Sequence, residues 1–132
     1  MSAVVIDAGA AMQLLVTDDL LIGKMPTMHA PALFWSELLS ALHAATWRGQ
    51  VPVDAAARIR ERVAATPFVR FDDDTRLHRR AWEIADLLGW AKTYDAEYVA
   101  LAQILDLPLL TVDGRLQRGV EHLVRVLGPS DL

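Results

Sequence analysis

The sequence predicts an α/β fold: a three-layer sandwich with helices on both faces of a mainly parallel central sheet. Three observations carry this. Short apolar segments alternate with longer helical ones from end to end, which is the order of βαβ units. The apolar segments, "AVVI" and "LPLLTV" among them, lack a clean in–out alternation, as strands covered on both faces do. The 132 residues, 53% of them hydrophobic, suffice for one core and form a single domain over residues 1–132.

Taken in order, residues 3–7 read as a short buried strand rich in β-branched side chains. Residues 8–16, "AGAAMQLLV", read as a helix, and 17–30 as a loop with at most a short helical turn. Pro31 opens a long helix, "PALFWSELLSALHAATWRG", that stops near Gly49. Proline at a helix start and glycine past its end is the common asymmetry. A helix over 53–65 ends before Pro67, and "FVRF" at 68–71 is a strand. The stretch 72–90 is a helix capped by one of its leading Asp residues. A further helix covers 94–106, a buried strand 107–112, a turn or short helix begins at Gly114, and 122–127 is the last strand.

Composition narrows the function classes. No apolar run approaches the roughly 18–20 residues of a membrane span. No basic segment precedes "AVVI", which argues against a secretory leader and makes a cytoplasmic location the expectation. Cysteine is absent, which removes disulfides and thiolate-bound metal. The net charge of −4 does not resemble a bulk nucleic-acid binder. Eleven of the 13 basic residues are nevertheless Arg, whose planar fork suits phosphate. The high apolar content leads to the expectation of a buried partner surface and a homodimer.

The chemistry is expected at one edge. In open α/β sheets, sites form at the carboxyl ends of the strands. Asp7 ends the first strand and Asp113 ends the "LLTV" strand, so a parallel sheet sets both at that edge. Asp95 lies in the first turn of the helix that runs back into the "LLTV" strand, and it starts at the same edge. Glu37, on the rim of the apolar stripe of its helix, is the fourth candidate, because a carboxylate pressed against a core needs a partner. Each acid also has a plainer reading. Asp7 could simply cap a helix, Asp113 form a turn, Asp95 complement a helix dipole, and Glu37 pair with an Arg. Together they form an all-oxygen donor set that favours Mg²⁺ or Mn²⁺ over zinc.

Arg115 and Arg118 follow Asp113 and are the candidate substrate contacts. Arg58, Arg60, Arg62, Arg76, Arg79 and Arg80 read mainly as solvated helix faces. The Asp72–Asp74 run reads as a helix cap. His29, His43, His78 and His122 lack zinc-like spacing. Trp35, Trp47, Trp82 and Trp90 read as core or interface rather than stacking platforms.

In "VVIDAGA", "APALFWSELLSAL" and "TYDAEYVALAQILDLPLLTVDGRL", the chain resembles, essentially end to end, PIN-domain ribonucleases of the VapC toxin type. The most specific block is Tyr94-Asp95-Ala96 with Tyr98, Ala100, Leu101 and Ala102, followed by Thr111-Val112-Asp113. The resemblance implies catalytic and metal-binding roles for Asp7, Glu37, Asp95 and Asp113, with Asp7 and Asp95 the strongest ligands and Thr111 supporting the carboxylates through its hydroxyl. It implies one or two Mg²⁺ or Mn²⁺ ions, hydrolysis of RNA phosphodiesters by a metal-activated water, a homodimer, and inhibition by a cognate VapB-type antitoxin. One position departs: the family commonly has Ser or Thr two residues after the first Asp, where this chain has Gly9.

Two other classes stay open on the sequence. A phosphatase using Asp7 as nucleophile wants a second acid two residues on, where Gly9 stands. A catalytically inert PIN-like or receiver-like metal-binding module is the non-enzymatic alternative. A receiver wants a late Lys, and only Lys24 and Lys92 exist.

Overall fold

The computed structural model describes residues 2–17 and 25–132. Among the described residues, five strands form one sheet: β1 (Ala3–Ile6), β2 (Thr27–Ala30), β3 (Val69–Arg70), β4 (Leu109–Leu110) and β5 (Val126–Leu127). Their order is β3-β2-β1-β4-β5, and every pairing is parallel. The connecting helices are α1 (Ala8–Val16), α2 (Leu33–Trp47), α3 (Val53–Ala65), α4 (Asp74–Leu88), α5 (Tyr94–Leu105) and α6 (Gly114–Val120), and a 3-10 turn covers Pro129–Asp131.

Strand β1 is central, and its side chains Val4, Val5 and Ile6 are buried on both faces, which explains their unbroken apolar run. From β1 the chain steps outward through β2 to β3, then crosses back through α4 and α5 to β4 on the other side. Parallel crossovers are right-handed, so reversing the direction of travel changes the face that the helices cover. The helices α1, α2 and α3 pack on one another, and α5 packs on α4, β1 and β4, giving the layered arrangement. The reversal makes the β1/β4 junction the topological switch point, where open α/β sheets place their sites.

The structure corrects the loop expected over 17–30. Thr27–Ala30 is a strand, registered on β1 through Ala3↔Thr27, Val4↔Met28 and Val5↔His29. It escaped notice because Pro26 and Pro31 bracket it like loop punctuation, and Met and Ala are weak strand formers. The short helical turn allowed for in that stretch falls on residues 18–24, outside the described residues. The strands expected over 68–71, 107–112 and 122–127 are two residues long each, although flanking residues still bond across, as the Phe71 N–H does to the Ala30 carbonyl and the Thr111 N–H to the Leu127 carbonyl. The helix opened by Pro31 begins at Leu33, with the Phe34 N–H donating to the Pro31 carbonyl. Asp73 is the member of the Asp run that caps α4, accepting from the Arg76 N–H at 3.2 Å.

Trp35 and Trp90 pack against the core as expected. Trp47 and Trp82 do not join it: they are 86% and 66% exposed. Each follows a buried residue's helix by enough rotation to point outward, a distinction that aromatic content alone does not make.

Candidate active site

Asp7 sits between β1 and α1, buried to 9% exposure. Its Oδ1 accepts the Ala10 N–H at 2.9 Å, which caps α1, so the plainer reading of this residue holds. Its Oδ2 accepts the Thr111 hydroxyl at 2.5 Å, a contact spanning 104 residues of sequence. Capping therefore occupies only one oxygen, and each oxygen keeps a lone-pair site. Thr111 follows β4 and is 2% exposed. Its Oγ1 also accepts the Asp113 N–H at 3.1 Å. Asp113 in turn caps α6, its Oδ1 accepting from the N–H groups of Arg115 at 2.9 Å and Leu116 at 3.2 Å. One hydroxyl thus ties the acid after β1 to the segment bearing the acid after β4.

Asp95 lies in the first turn of α5. Glu37 reaches the edge from α2, where its Oε1 accepts the Tyr98 hydroxyl at 2.5 Å. Tyr98 follows Asp95 by three residues and so shares its face of α5.

Asp7, Glu37 and Asp95 each feel the charge of at least one neighbouring carboxylate. Burial raises Asp7 above the ordinary Asp range, the bonds from Thr111 and Ala10 oppose the rise, and the charges of Asp95 and Asp113 add to it. Burial also raises Glu37, against the Tyr98 bond, with Asp95 and Asp7 contributing. Asp95 is raised by burial and by Asp113, and the nearby Arg115 guanidinium pulls it back. The residues that could hold a cation are these four. Among the described residues, however, no three His, Cys, Asp or Glu side chains converge closely enough to cage a metal by themselves. The donor atoms of the four acids are all carboxylate oxygens, the chemistry of a hard cation that keeps several of its waters. The structure thus brings Asp7, Glu37, Asp95, Asp113 and Thr111 to one edge, with Arg115 beside them. Arg118 folds back toward this edge, its Nη1 lying 3.3 Å from where a Cβ on Gly114 would stand.

Three of the arginines read as solvated helix faces have partners, and that of Arg62 is a backbone carbonyl in a part-buried setting. Arg58 pairs with Asp54 at 3.5 Å, Arg80 with Glu83 at 2.8 Å and with Gln103, and Arg62 donates to the Leu15 carbonyl at the end of α1.

Sequence reasoning missed two residues. Glu97 is buried on α5 with His78 Nε2 3.5 Å from its Oε1, and burial raises it above the ordinary Glu range while His78 opposes the rise. Its signal was there to read: it is the one charged residue in the otherwise apolar, buried run 96–102. Tyr98 stood in the quoted motif without a role. A phenol one helical turn after Asp95 was the available clue. Its hydroxyl stays protonated, because burial and the Glu37 charge push its pKa up.

Beside the acids, an apolar groove runs along α2. The part next to Glu37 has a volume of about 700 Å³ and includes Met12, Leu33 and Tyr94. It shares Ser36, Ser40, Ala44 and Arg48 with a continuation of about 920 Å³ toward Trp47 and Val53. Among the described residues, no helix is long and apolar enough to cross a membrane.

A parallel sheet with acids gathered at its switch point is the arrangement of a PIN domain, and the family model for that domain matches residues 4–121: the chain belongs to the PIN-domain family. Within it, the chain is 34% identical over 120 residues to Ribonuclease VapC1 of Mycobacterium tuberculosis (strain CDC 1551 / Oshkosh), covering 87% of this chain and 84% of that protein. It is 36% identical over 121 residues to Ribonuclease VapC3 of the same strain, covering 87% and 85%. Among solved structures, PAE2754 from Pyrobaculum aerophilum superposes with a TM-score of 0.77 at 25% identity, over 98% of this chain and 93% of that one. A toxin–antitoxin complex from Klebsiella pneumoniae superposes at 0.64 with 19% identity, over 94% and 95%, a likeness of fold alone.

Proposed function

We propose that this chain, as a single nuclease domain over residues 1–132, is a Mg²⁺- or Mn²⁺-dependent endoribonuclease toxin of a type II toxin–antitoxin pair. The observation that carries the proposal is the gathering of Asp7, Glu37, Asp95 and Asp113 at the sheet's switch point, where Asp7, Glu37 and Asp95 are each raised by burial and by the charge of at least one neighbouring carboxylate. Relatives named Ribonuclease VapC over most of the chain support the same reading. Carboxylates that raise one another's pKa are relieved by a cation, and their oxygens suit Mg²⁺ or Mn²⁺. When bound, such an ion neutralises phosphodiester charge and makes water more acidic.

The chain's own residues divide the remaining work. Asp7 and Asp95 would hold the ion, and Asp113 would complete the pocket. Glu37 would be a further ligand, from where it would also orient the attacking water. Thr111 fixes the Asp7 carboxylate through Oδ2. Arg115 and Arg118 contact the RNA phosphates. Cleavage assays on RNA with and without Mn²⁺ test this. Asp95→Asn is expected to lower the rate by roughly 100-fold, the scale of losing one electrostatic stabiliser. Undiminished cleavage by that variant overturns the proposal. Metal binding without cleavage of any RNA leaves the inert-module reading in its place.

The partner is a VapB-type antitoxin whose apolar segment lies in the α2 groove. Because the groove is continuous from Trp47 to Glu37, a segment seated there reaches Glu37 at the edge of the acidic site. Trp47→Ala is expected to weaken antitoxin binding while changing stability by less than about 0.5 kcal/mol, since the side chain is mostly exposed. Unchanged affinity in a binding titration refutes that placement. A homodimer working in the cytoplasm completes the proposal, and a monomeric mass by light scattering at micromolar concentration contradicts the dimer.

A further inference from the structure

We infer that Tyr98 is a positioning residue for Glu37, so that one helix, α5, sets two of the four carboxylates: Asp95 directly and Glu37 through the phenol one turn along. The inference rests on the metal-dependent reading above and assigns a task that the acids alone do not explain.

Glu37 comes from α2 and the other acids come from β1, β4 and α5, so nothing in its own helix holds it in register with them. A Glu side chain has three freely turning bonds, and orienting it costs side-chain entropy. Among the described residues, the hydrogen-bond partner of Glu37 is the Tyr98 hydroxyl, which donates to Oε1 at 2.5 Å across 61 residues of sequence. Tyr98 is 1% exposed and part of the buried core, so its hydroxyl is a fixed point rather than a flexible one. A tyrosine has few rotatable bonds, which makes it a low-entropy strut. The bond occupies one lone pair of Oε1 and leaves Oε2 free. That carboxylate lies close enough to Asp7 and Asp95 for their charges to act on it.

The geometry also gives a reason for the three-residue spacing. Asp95 and Tyr98 lie on one face of α5 at i and i+3, so a shift or rotation of that helix moves both together. The arrangement resembles the outer partners that orient metal-ligating side chains and whose loss typically lowers affinity 10- to 100-fold. A competing account is that the bond merely satisfies a phenol whose ring is needed for packing. The two accounts separate in a double-mutant cycle, because a strut acts only while Glu37 is present.

The experiment is a calorimetric titration of Mn²⁺, without RNA, into four proteins: wild type, Tyr98→Phe, Glu37→Ala and the double variant, each checked for folding by circular dichroism. Phenylalanine keeps the buried ring. Tyr98→Phe is expected to weaken Mn²⁺ binding by roughly 10-fold in the wild-type background and by less than about 2-fold on Glu37→Ala. Wild-type affinity in Tyr98→Phe overturns the inference, and so does an equal loss in both backgrounds. If wild type itself binds no Mn²⁺ at millimolar concentration, the metal-dependent reading falls and this inference with it, a result distinct from failure in the variant alone. Should Tyr98→Phe not fold, Glu37→Asp carries the test. It withdraws the carboxylate from the phenol by one methylene and is expected to bind Mn²⁺ no better than Glu37→Ala, whereas wild-type affinity overturns the inference.

Discussion

Replacing Thr111 with Val is expected to destabilise the metal-free protein by about 2 kcal/mol at neutral pH. The hydroxyl is buried, donates to Asp7 Oδ2 and accepts from the Asp113 N–H. A hydrogen bond to a charged group is worth about 1.5–3 kcal/mol. The Asp113 N–H lies in an exposed segment where water replaces its partner, so its loss adds little. The extra methyl of Val recovers about 0.8 kcal/mol at most. For a chain of this size, about 2 kcal/mol corresponds to a fall in Tm of roughly 8 °C. Thermal unfolding followed by circular dichroism in chelator measures it, with Thr111→Ser, which keeps the hydroxyl, expected to lose less than half as much. The deficit has a pH signature. The lost bond favours ionised Asp7, so the variant raises the Asp7 pKa further above its unfolded value. A raised folded-state pKa penalises the ionised form, so the extra cost is full above the variant's Asp7 pKa and fades as pH falls through it to the wild-type Asp7 pKa, which itself lies above the ordinary Asp value. A Thr111→Val protein within about 0.5 kcal/mol of wild type at neutral pH, or a deficit that grows on acidification, refutes the reasoning.

Two further outcomes follow from the same electrostatics and spacing. Asp95 is raised by burial and Asp113, so its charge costs folded-state stability above the raised pKa and nothing below the unfolded one. Asp95→Asn without metal is therefore expected to be more stable than wild type near pH 7.5, to match it at strongly acidic pH, and to lose the rise in Tm that millimolar Mg²⁺ gives wild type. A variant less stable than wild type at pH 7.5 contradicts this. At Gly9, an added Cβ would stand 3.4 Å from Val112 Cγ2 and 3.8 Å from Asp7 Oδ1, ordinary contact distances. Gly9→Ser is thus expected to fold, to gain about 0.5 kcal/mol from helix propensity, and to tighten Mn²⁺ binding by setting a hydroxyl beside Asp7. Destabilisation in urea unfolding, or unchanged Mn²⁺ affinity by calorimetry, argues against a vacant hydroxyl position there.

The absence of the family's usual hydroxyl at position 9 also bears on how the site is built. Thr111 already donates to the far oxygen of Asp7, and the Ala10 N–H to the near one. The first acid is therefore held from both sides without a side chain at position 9, which fits a pocket that keeps all four carboxylates.

What the sequence determined by itself is the local grammar and the positions of the acids. Helix 53–65 has the limits read from its pattern, because Pro52 and Pro67 and the 3.6-residue spacing are all local signals. Asp7 and Asp113 were legible as strand-end acids because an apolar strand followed by Asp and a small residue is visible in seven letters. Tertiary structure decided everything that depends on partners far along the chain. The strand at 27–30 exists because β1 offers it a ladder, not because "TMHA" favours strand. The Thr111–Asp7 and Tyr98–Glu37 bonds join residues 104 and 61 positions apart, and no periodicity reports on such pairs. The burial of Glu97 and the exposure of Trp47 likewise reflect which helix faces met a neighbour. Side-chain type and spacing are properties of a segment, whereas a site is a meeting of segments, and the energy that selects the meeting is long-range burial.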